Sequence, residues 1–168
     1  DVRARQPDGL FLSPGPGDPA TVAQGIETTR ALLGEVPVFG ICLGSQLLGQ
    51  ALGAGTYKLA FGHHGVNQPV LRRSDGGVEI TSHNHGFAVQ ASTLGEQTGE
   101  HTFATAEHGE VEVSHVNLND DVCEGLTARE LRAFSVQYHP EAAPGPNDAR
   151  YLFRRFADVV TGADEEGR

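Results

Sequence analysis

The stretch Pro37-Val38-Phe39-Gly40-Ile41-Cys42-Leu43-Gly44 decides the fold. It opens with an apolar run of the kind that forms a strand buried on both faces of a sheet. Residues 45–52, which follow it, have the composition of a helix. Gly40 and Gly44 carry no side chain, so the backbone can turn sharply between the two elements. The sequence therefore predicts a strand, a tight turn and a helix, with Cys42 lifted to the carboxyl end of the strand.

A similar unit precedes this one along the chain. Residues 9–13 form a short apolar run, a rigid Pro/Gly loop covers residues 13–19, and a helix is predicted over residues 20–33. Two strand–loop–helix units in succession predict a parallel sheet with helices on its faces. We therefore expect an α/β fold in which a mostly parallel sheet is flanked by helices.

The second half of the chain adds shorter extended segments. The predicted strands are residues 66–71, 78–81, 87–90, 111–117 and 133–137. Residues 75–77 predict a hairpin turn, and residues 82–87 are interpreted as a polar turn between two strands. A last helix is predicted over residues 147–160. These segments would add short antiparallel strands to the parallel sheet.

Composition limits the kinds of protein this can be. A chain of 168 residues with 38% hydrophobic and 20% charged residues suits one globular domain. Its formal net charge of −10 disfavours nucleic acid or an anionic membrane as a partner. With neither a bilayer-spanning apolar stretch nor a secretory segment in view, we expect a cytoplasmic protein. The chain has no methionine and opens in a polar segment, so we interpret it as a piece of a longer polypeptide.

The two cysteines have different surroundings. Cys123 and Cys42 are too few for a disulfide framework, and we expect one functional thiol and one structural residue. Cys42 is the functional candidate because its sequence context, G-x-C-x-G between a strand and a helix, is that of a nucleophile elbow. A helix that begins at the thiol favours the thiolate, and the N–H of Leu43 is placed to hold an oxyanion. An ordinary buried cysteine after a strand is the alternative interpretation.

A nucleophilic thiol needs a base and a group that orients the base. His139-Pro140-Glu141 follows the last predicted strand, and the proline restricts the backbone between the two polar residues. Glu141 could then accept the imidazole N–H of His139, while His139 takes the proton of Cys42. A solvated surface turn is the alternative for this tripeptide.

Two loops could complete a site at this edge of the sheet. Gly15-Pro16-Gly17 follows a strand, and a glycine N–H there could be a second oxyanion donor. The backbone of residues 82–87 could receive a charged α-amino acid. Each could equally be an ordinary connecting loop.

The eight histidines raise the question of a metal site. His63, His64, His83 and His85 are the possible ligands, but no pair has the i, i+4 helical spacing with a third ligand that is typical of zinc sites. We therefore expect no metal. His63-His64 is interpreted as a polar turn held by hydrogen bonds, and the acidic residues 164–166 as a solvated end.

These motifs together resemble the class I (triad) glutamine amidotransferases. The elbow, G-I-C-L-G-x-Q-L-L from Gly40, and the H-P-E run at His139 carry the resemblance to the superfamily. Four longer stretches, residues 12–19, 61–67, 84–89 and 139–148, are similar to the small chain of carbamoyl-phosphate synthetase, as is the segment 114–120. The similarity covers roughly residues 7–160.

The resemblance implies a chemistry. Cys42 would attack the side-chain amide of L-glutamine, His139 would move the protons, and Glu141 would assist. The implied glutamine-binding residues are Gly15, Gly17, Leu43, Gln46, Asn84, Gly86 and Phe87. The released ammonia would pass to a large synthetase chain, which uses bicarbonate, ATP and Mg to make carbamoyl phosphate for arginine and pyrimidine synthesis. No cofactor is expected in this chain.

The sequence departs from the family pattern at two positions and at its start. Ser45 stands where the family usually has His, and His83 stands where Gln is common, so we expect altered tuning rather than loss of activity. The family's small chain has an amino-terminal domain and a first strand that this sequence lacks. We therefore expect residues 1–168 to be one glutamine amidotransferase domain, and the thiol to be catalytically competent only in a longer chain.

Other functions fit parts of the same pattern. The same fold could serve anthranilate, aminodeoxychorismate or guanylate synthesis, but the F-G-H-H-G-x-N and P-G-P-N-D runs disfavour these. A non-catalytic glutamine-binding module is a second class, which the intact set of Cys42, His139 and Glu141 disfavours. A free-standing γ-glutamyl hydrolase is a weaker third alternative.

Overall fold

The computed structural model describes residues 2–142 and 145–163. The strands in this part of the chain are Leu10–Leu12 (β1), Val38–Ile41 (β2), Gly55–Arg72 (β3), Gly77–Gln90 (β4), Gly95–Gln97 (β5), Thr102–Thr105 (β6), Gly109–Asn117 (β7), Cys123–Ala128 (β8) and Ala133–Val136 (β9). The α-helices are Ala23–Leu32 (α1), Leu43–Ala51 (α2) and Tyr151–Thr161 (α3). None of these helices is long and apolar enough to cross a membrane. Ala143 and Pro144 of the stretch 139–148, and residues 164–166, lie outside the described residues.

The strands form one mixed sheet in the order β1-β2-β9-β8-β7-β3-β4, and β6 pairs with β7 and β5. The predicted α/β fold with flanking helices is confirmed. Parallel pairing is confined to β1, β2 and β9, and the other described pairs are antiparallel. The sheet is thus less parallel than the sequence predicts. A helical crossover through α1 joins β1 to β2, and the chain returns to pair β9 with β2 only after the other strands, whereas short turns join most of the later strands as antiparallel pairs.

Strand β2 lies at the centre of two cores, one on each face of the sheet. On one face, Val38 packs with Leu48 of α2 and with Leu52, which caps the end of that helix. Phe39 and Ile41 point to the other face, where the ring of Phe39 stacks on Phe134 of β9 at a centroid distance of 4.5 Å. Burial on both faces explains why this strand is a continuous apolar run rather than an alternating pattern.

The elements predicted in the first half of the chain, and the last helix, are confirmed with small shifts in their boundaries. The predicted helix over residues 20–33 is divided into a short 3-10 turn, Pro19–Thr21, and α1. The carboxylate of Asp18 accepts a hydrogen bond from the N–H of Ala20 and so caps the 3-10 turn. The last helix, α3, begins at Tyr151, a few residues after its predicted start at 147.

The interpretation of residues 82–87 as a turn is wrong. They belong to β4, which joins the predicted strands 78–81 and 87–90 into one element. The residues that point inward along β4 are buried at alternate positions, namely Glu79, Thr81, His83 and His85. The period of two is that of a strand, but polar side chains occupy the buried positions, and their composition is typical of a loop.

His63 and His64 do not form a turn either. They lie in β3 between two register shifts in its pairing with β4, after Lys58 and after Gly65. The expectation that hydrogen bonds hold them is confirmed, because His63 contacts Glu124 and His64 contacts Asn84. Strands β5, β6 and β8 and the first half of β3 were not predicted. The three short strands are polar or contain glycine and lack the apolar alternation of a strand, and in β3 the alternation of Tyr57, Leu59 and Phe61 was missed.

The tight turn before α2 depends on two glycines. A Cβ atom added to Gly44 would lie 2.1 Å from the carbonyl oxygen of Leu12, and one added to Gly40 would lie 2.5 Å from the carbonyl oxygen of Gly44. Both distances are shorter than van der Waals contact with backbone atoms that cannot move freely. The predicted role of these glycines in the turn is therefore confirmed.

We expect Gly44→Ala to lower the free energy of unfolding by about 3 kcal/mol, at the upper end for overpacked sites, because its methyl group meets the backbone of β1. Urea denaturation followed by circular dichroism measures this. Gly86→Ala is the matched control, since a Cβ atom there meets nothing within 4 Å. An equal effect of the two substitutions would contradict this account of the turn.

Candidate active site

Cys42 occupies a strained turn at the carboxyl end of β2. Its backbone has φ 53° and ψ −107°, in a region that residues with a side chain rarely adopt. The N–H of Cys42 donates to the carbonyl oxygen of Val136 at 2.9 Å, which fixes the turn against β9. Helix α2 begins at the next residue. The nucleophile elbow predicted from G-x-C-x-G is thus present in the fold.

Burial governs the acidity of the Cys42 thiol. Desolvation raises the pKa of the thiol to about 11, and the negative charge of Glu141 acts in the same direction. The N–H of Leu43 donates to the sulfur and lowers the pKa, as expected for a helix that starts at a thiol. Burial outweighs the helix, so the thiolate that the sequence led us to expect is not the resting form. The thiol needs a base to become a nucleophile.

The predicted base and its partner lie in contact. His139 Nδ1 and Glu141 Oε1 are 2.7 Å apart, so Nδ1–H donates to the carboxylate and Nε2 is left to act as an acceptor. The N–H of His139 donates to the carbonyl oxygen of Ser82 at 2.8 Å, which ties this segment to β4. His139 follows β9 closely, and β9 pairs in parallel with β2, so the imidazole and the thiol emerge at the same edge of the sheet.

A cavity of about 230 Å³ opens beside Cys42. Its lining includes six of the seven residues that the sequence suggested for glutamine: Gly15, Gly17, Gln46, Asn84, Gly86 and Phe87. The seventh, Leu43, does not line the cavity, and its contribution is the N–H beside the sulfur. The cavity is small and polar enough for one amino acid, and it joins the first loop, the elbow and β4.

The structure adds residues to this lining that the sequence did not single out for glutamine. Pro16 and Asp18 come from the same loop as Gly15, and His85 comes from β4. The position of Pro16 and Asp18 beside Gly15 was a usable signal, because a loop that contributes one lining residue often contributes its neighbours. His85 was considered as a metal ligand and as part of the 82–87 segment whose backbone could receive an amino acid, but not by its side chain as a glutamine contact.

Buried hydrogen bonds fix the side of the cavity formed by α2. The side-chain amide of Gln46 donates to the carbonyl oxygen of Phe87 at 2.8 Å and lies 2.9 Å from Oε1 of Gln137. Ser45, which stands where the family has His, forms a hydrogen bond of 2.9 Å with Ser135 in β9. These bonds link α2 to β4 and β9, so the walls of the cavity are held in register.

A second polar cluster lies behind His85. His83 and His85 are buried, and desolvation lowers their pKa values to about 2 and about 4. His63 hydrogen-bonds the carboxylate of Glu124, which raises the pKa of this imidazole to about 9. The structure therefore brings together three of the four histidines that were considered as ligands, and leaves His64 outside the cluster on the surface.

Comparison with known proteins agrees with this geometry. The family model described as glutamine amidotransferase class-I matches residues 1–159. The chain belongs to the class I glutamine amidotransferases. Two of the most similar curated proteins are carbamoyl phosphate synthase small chains. The amidotransferase domain is 57% identical to that of Syntrophotalea carbinolica over 95% of this chain and 39% of the relative. The corresponding values for Bifidobacterium longum are 53%, 100% and 41%.

A solved structure supports the same fold. A Thermoplasma acidophilum protein described as a component of GMP synthase superposes on the amidotransferase domain with a TM-score of 0.66. The match covers 98% of this chain and 78% of that one, at 17% sequence identity. At such low sequence identity, the match supports the fold and gives no information about the substrate. The chain spans about 40% of the length of the curated relatives, 39% and 41% in the two cases above.

The raised pKa of Cys42 predicts a pH profile. Between pH 7 and 9.5 the rate of alkylation by iodoacetamide should rise about tenfold per pH unit without a plateau, because the thiolate fraction still grows below a pKa of about 11. Mass spectrometry of the peptide that contains Cys42 measures the rate. Cys123, whose pKa burial raises to about 12, is the internal control and should react more slowly. A plateau below pH 8 would mean that the thiol is acidic in the free protein.

Proposed function

We propose that this domain hydrolyses L-glutamine as part of the small chain of carbamoyl-phosphate synthetase. The observation that carries the proposal is the strained elbow at Cys42, which opens into a cavity lined by Gly15, Gly17, Gln46 and Asn84. The relatives at 57% and 53% identity, both called carbamoyl phosphate synthase small chains, support the choice of this synthetase.

The first half of the proposed reaction makes a thioester. His139 Nε2 accepts the proton of the Cys42 thiol, and the sulfur attacks the carbon of the glutamine side-chain amide. The N–H of Leu43 and a glycine N–H of the 15–17 loop donate to the oxyanion that forms. The imidazolium then gives its proton to the nitrogen, the C–N bond breaks, and ammonia leaves a γ-glutamyl thioester on Cys42.

The second half regenerates the thiol. His139 accepts a proton from a water molecule, which attacks the thioester carbon through the same oxyanion contacts. The C–S bond breaks, glutamate leaves, and the sulfur recovers its proton from His139. Glu141 keeps Nδ1–H of His139 in place throughout and stabilises the imidazolium, since its carboxylate is already at 2.7 Å.

The high pKa of Cys42 fits a mechanism in which His139 removes the proton of the thiol and the sulfur then attacks. A buried thiol stays protonated, and so unreactive towards other electrophiles, until a substrate occupies the cavity. The cavity wall formed by Asn84, Gly86 and Phe87 belongs to β4, whose exposed backbone is suited to hold the charged groups of an amino acid. Specificity for glutamine would arise from these contacts together with Gln46.

The partner and the destination of ammonia follow from the same proposal. A small chain implies a large synthetase chain that receives ammonia and uses bicarbonate, ATP and Mg to form carbamoyl phosphate. This domain itself would need no cofactor, and its site would be cytoplasmic, where these substrates occur. Arginine and pyrimidine synthesis would consume the product.

Affinity labelling tests the glutamine site directly. A diazo-ketone analogue of glutamine should modify Cys42 stoichiometrically, excess glutamine should block the reaction, and Cys42→Ser should abolish it, because the reagent needs both the cavity and the thiol. Peptide mass spectrometry locates the label. Absence of labelling in a sample with native circular dichroism would reject the glutaminase assignment for this chain.

The proposed role of Glu141 predicts a loss of kcat with little change in KM. Glu141→Gln should lower kcat for glutamine hydrolysis roughly 100-fold and leave KM within a few-fold, since the carboxylate orients the base and does not line the cavity. Assays are run with a large synthetase chain present. Glu130→Gln, on an exposed 3-10 turn, is the control for loss of a carboxylate. A change confined to KM would assign Glu141 to substrate binding instead.

The competing synthases are distinguished by the partner. If a carbamoyl-phosphate synthetase large chain increases glutamine hydrolysis and a synthase for anthranilate, aminodeoxychorismate or guanylate does not, the proposed partner stands. A module that binds glutamine without hydrolysis would show binding by calorimetry but no ammonia release with any of them. The first comparison identifies the synthetase partner, and the second shows whether the domain hydrolyses glutamine or only binds it.

A further inference from the structure

Three imidazoles and a carboxylate meet in the interior of this domain. His83 and His85 stand at alternate positions of β4, so their side chains share a face, and His63 of β3 is directly opposite His85. Glu124 comes from β8. One nitrogen or oxygen of each lies within 4.8 Å of the others, and all four residues are buried. This pairing across strands brings ligands together as effectively as the helical spacing considered from the sequence.

The hydrogen bond at the far side of each imidazole sets which nitrogen carries the proton. His85 Nδ1 is 2.8 Å from the carbonyl oxygen of Phe87, which can only accept, so His85 Nδ1 is protonated. His63 Nε2 is 2.8 Å from the carboxylate of Asp120 and donates to it. His85 Nε2 therefore turns a free lone pair towards the cluster, and His63 Nδ1 does the same when this imidazole is neutral and its one proton is on Nε2.

The third imidazole is held in the same way. The hydroxyl of Thr81 donates to the carbonyl oxygen of Gln68 at 2.8 Å. Thr81 Oγ1 then accepts from His83 Nε2, which lies 2.7 Å away. The lone pair of His83 Nδ1 consequently also points inward. In this arrangement three imidazole acceptors and a carboxylate oxygen face one another.

Each close pair of these acceptors needs either a proton or a metal ion between its two atoms. Glu124 Oε1 lies 2.9 Å from Nδ1 of His63 and 3.7 Å from Nδ1 of His83, which is 3.1 Å from Nε2 of His85. Asn117 donates one hydrogen bond to Glu124 Oε1 at 3.1 Å. Glu124 Oε2 is buried and has no hydrogen-bond partner in the described part of the chain. A proton on His63 satisfies the first pair. The second pair is satisfied without a metal only if the Thr81 hydroxyl turns from Gln68 to donate to His83 Nε2, so that His83 Nδ1 carries the proton.

Three separations between these ligand atoms are close to those of a zinc site, and the others are no longer than 4.8 Å. Zinc–nitrogen and zinc–oxygen bonds of about 2.0–2.1 Å in a tetrahedron place ligand atoms about 3.3 Å apart. The described separations of 2.9, 3.1 and 3.7 Å lie on either side of that value. The outer partners also conform, because metal-bound histidines donate their second N–H to a carboxylate, a carbonyl or a similar acceptor. Asp120, Phe87 and Thr81 fill these roles.

We propose that His63, His83, His85 and Glu124 bind a divalent transition-metal ion, and that zinc fits the set best. Three neutral imidazoles and one carboxylate are ligands that zinc accepts in four-coordinate geometry. The four protein ligands leave no position for water, so the ion has a structural role. It would join β3, β4 and β8 behind the cavity that His85 also lines. The proposal stands independently of glutamine hydrolysis.

Metal content tests the site without an activity assay. The chain is produced without a histidine tag in zinc-supplemented medium and is then dialysed. Inductively coupled plasma mass spectrometry should find one zinc ion per molecule. Cobalt(II) introduced in its place should give the intense visible absorption of a tetrahedral site. Substoichiometric zinc, together with failure to take up zinc on refolding, would overturn the proposal. NMR would then be expected to show His63 protonated on both nitrogens instead.

Two variants separate this site from surface binding. His83→Gln introduces the residue that the family resemblance expects at this position, so it should fold while losing one ligand, and zinc affinity should fall at least about 100-fold. His64→Gln is the matched control, because His64 neighbours His63 in sequence but is exposed and outside the cluster. Equal zinc content in both variants would contradict the assignment. Glu124→Gln, which keeps the shape of the side chain, should resemble His83→Gln.

Discussion

The site depends on one close contact between backbones, where Gly44 at the start of α2 passes the carbonyl of Leu12 at the end of β1. The contact leaves no room for a side chain at Gly44 and almost none at Gly40. It forces the chain to reverse within a single residue, and Cys42 takes the strained conformation that results. The thiol, the N–H of Leu43 beside it and the first helical turn are all positioned by this packing.

Polar groups in the interior are the second feature that organises the domain. The inward side of β4 carries Glu79, Thr81, His83 and His85, each buried and each hydrogen-bonded. Tyr138, next to the proposed base His139, donates to Glu79 at 2.9 Å, so this polar row reaches the segment that carries His139. Because unsatisfied polar groups are costly when buried, the row fixes strand register more strictly than apolar contacts would.

The two kinds of packing divide the molecule. Around β2, β9 and the helices, apolar side chains fill both faces of the sheet, and sequence patterns there predicted the correct elements with boundaries a few residues off. Around β3, β4, β7 and β8, buried histidines, carboxylates and amides lie among the buried apolar side chains, so polarity alone no longer distinguishes inside from outside. The wrong interpretation of residues 82–87, and the strands that were not predicted, all fall in this second region or at its edge.

The sequence by itself determined the elbow at Cys42, the H-P-E pair and the family, because local spacing and backbone restriction act within a few residues. Six of the seven suggested cavity residues could be named from motifs for the same reason. Only the tertiary structure decided that burial outweighs the helix at the thiol and that Glu124 meets His63, His83 and His85. Desolvation and cross-strand contact depend on which distant segments pack together, and register between strands fixes that choice.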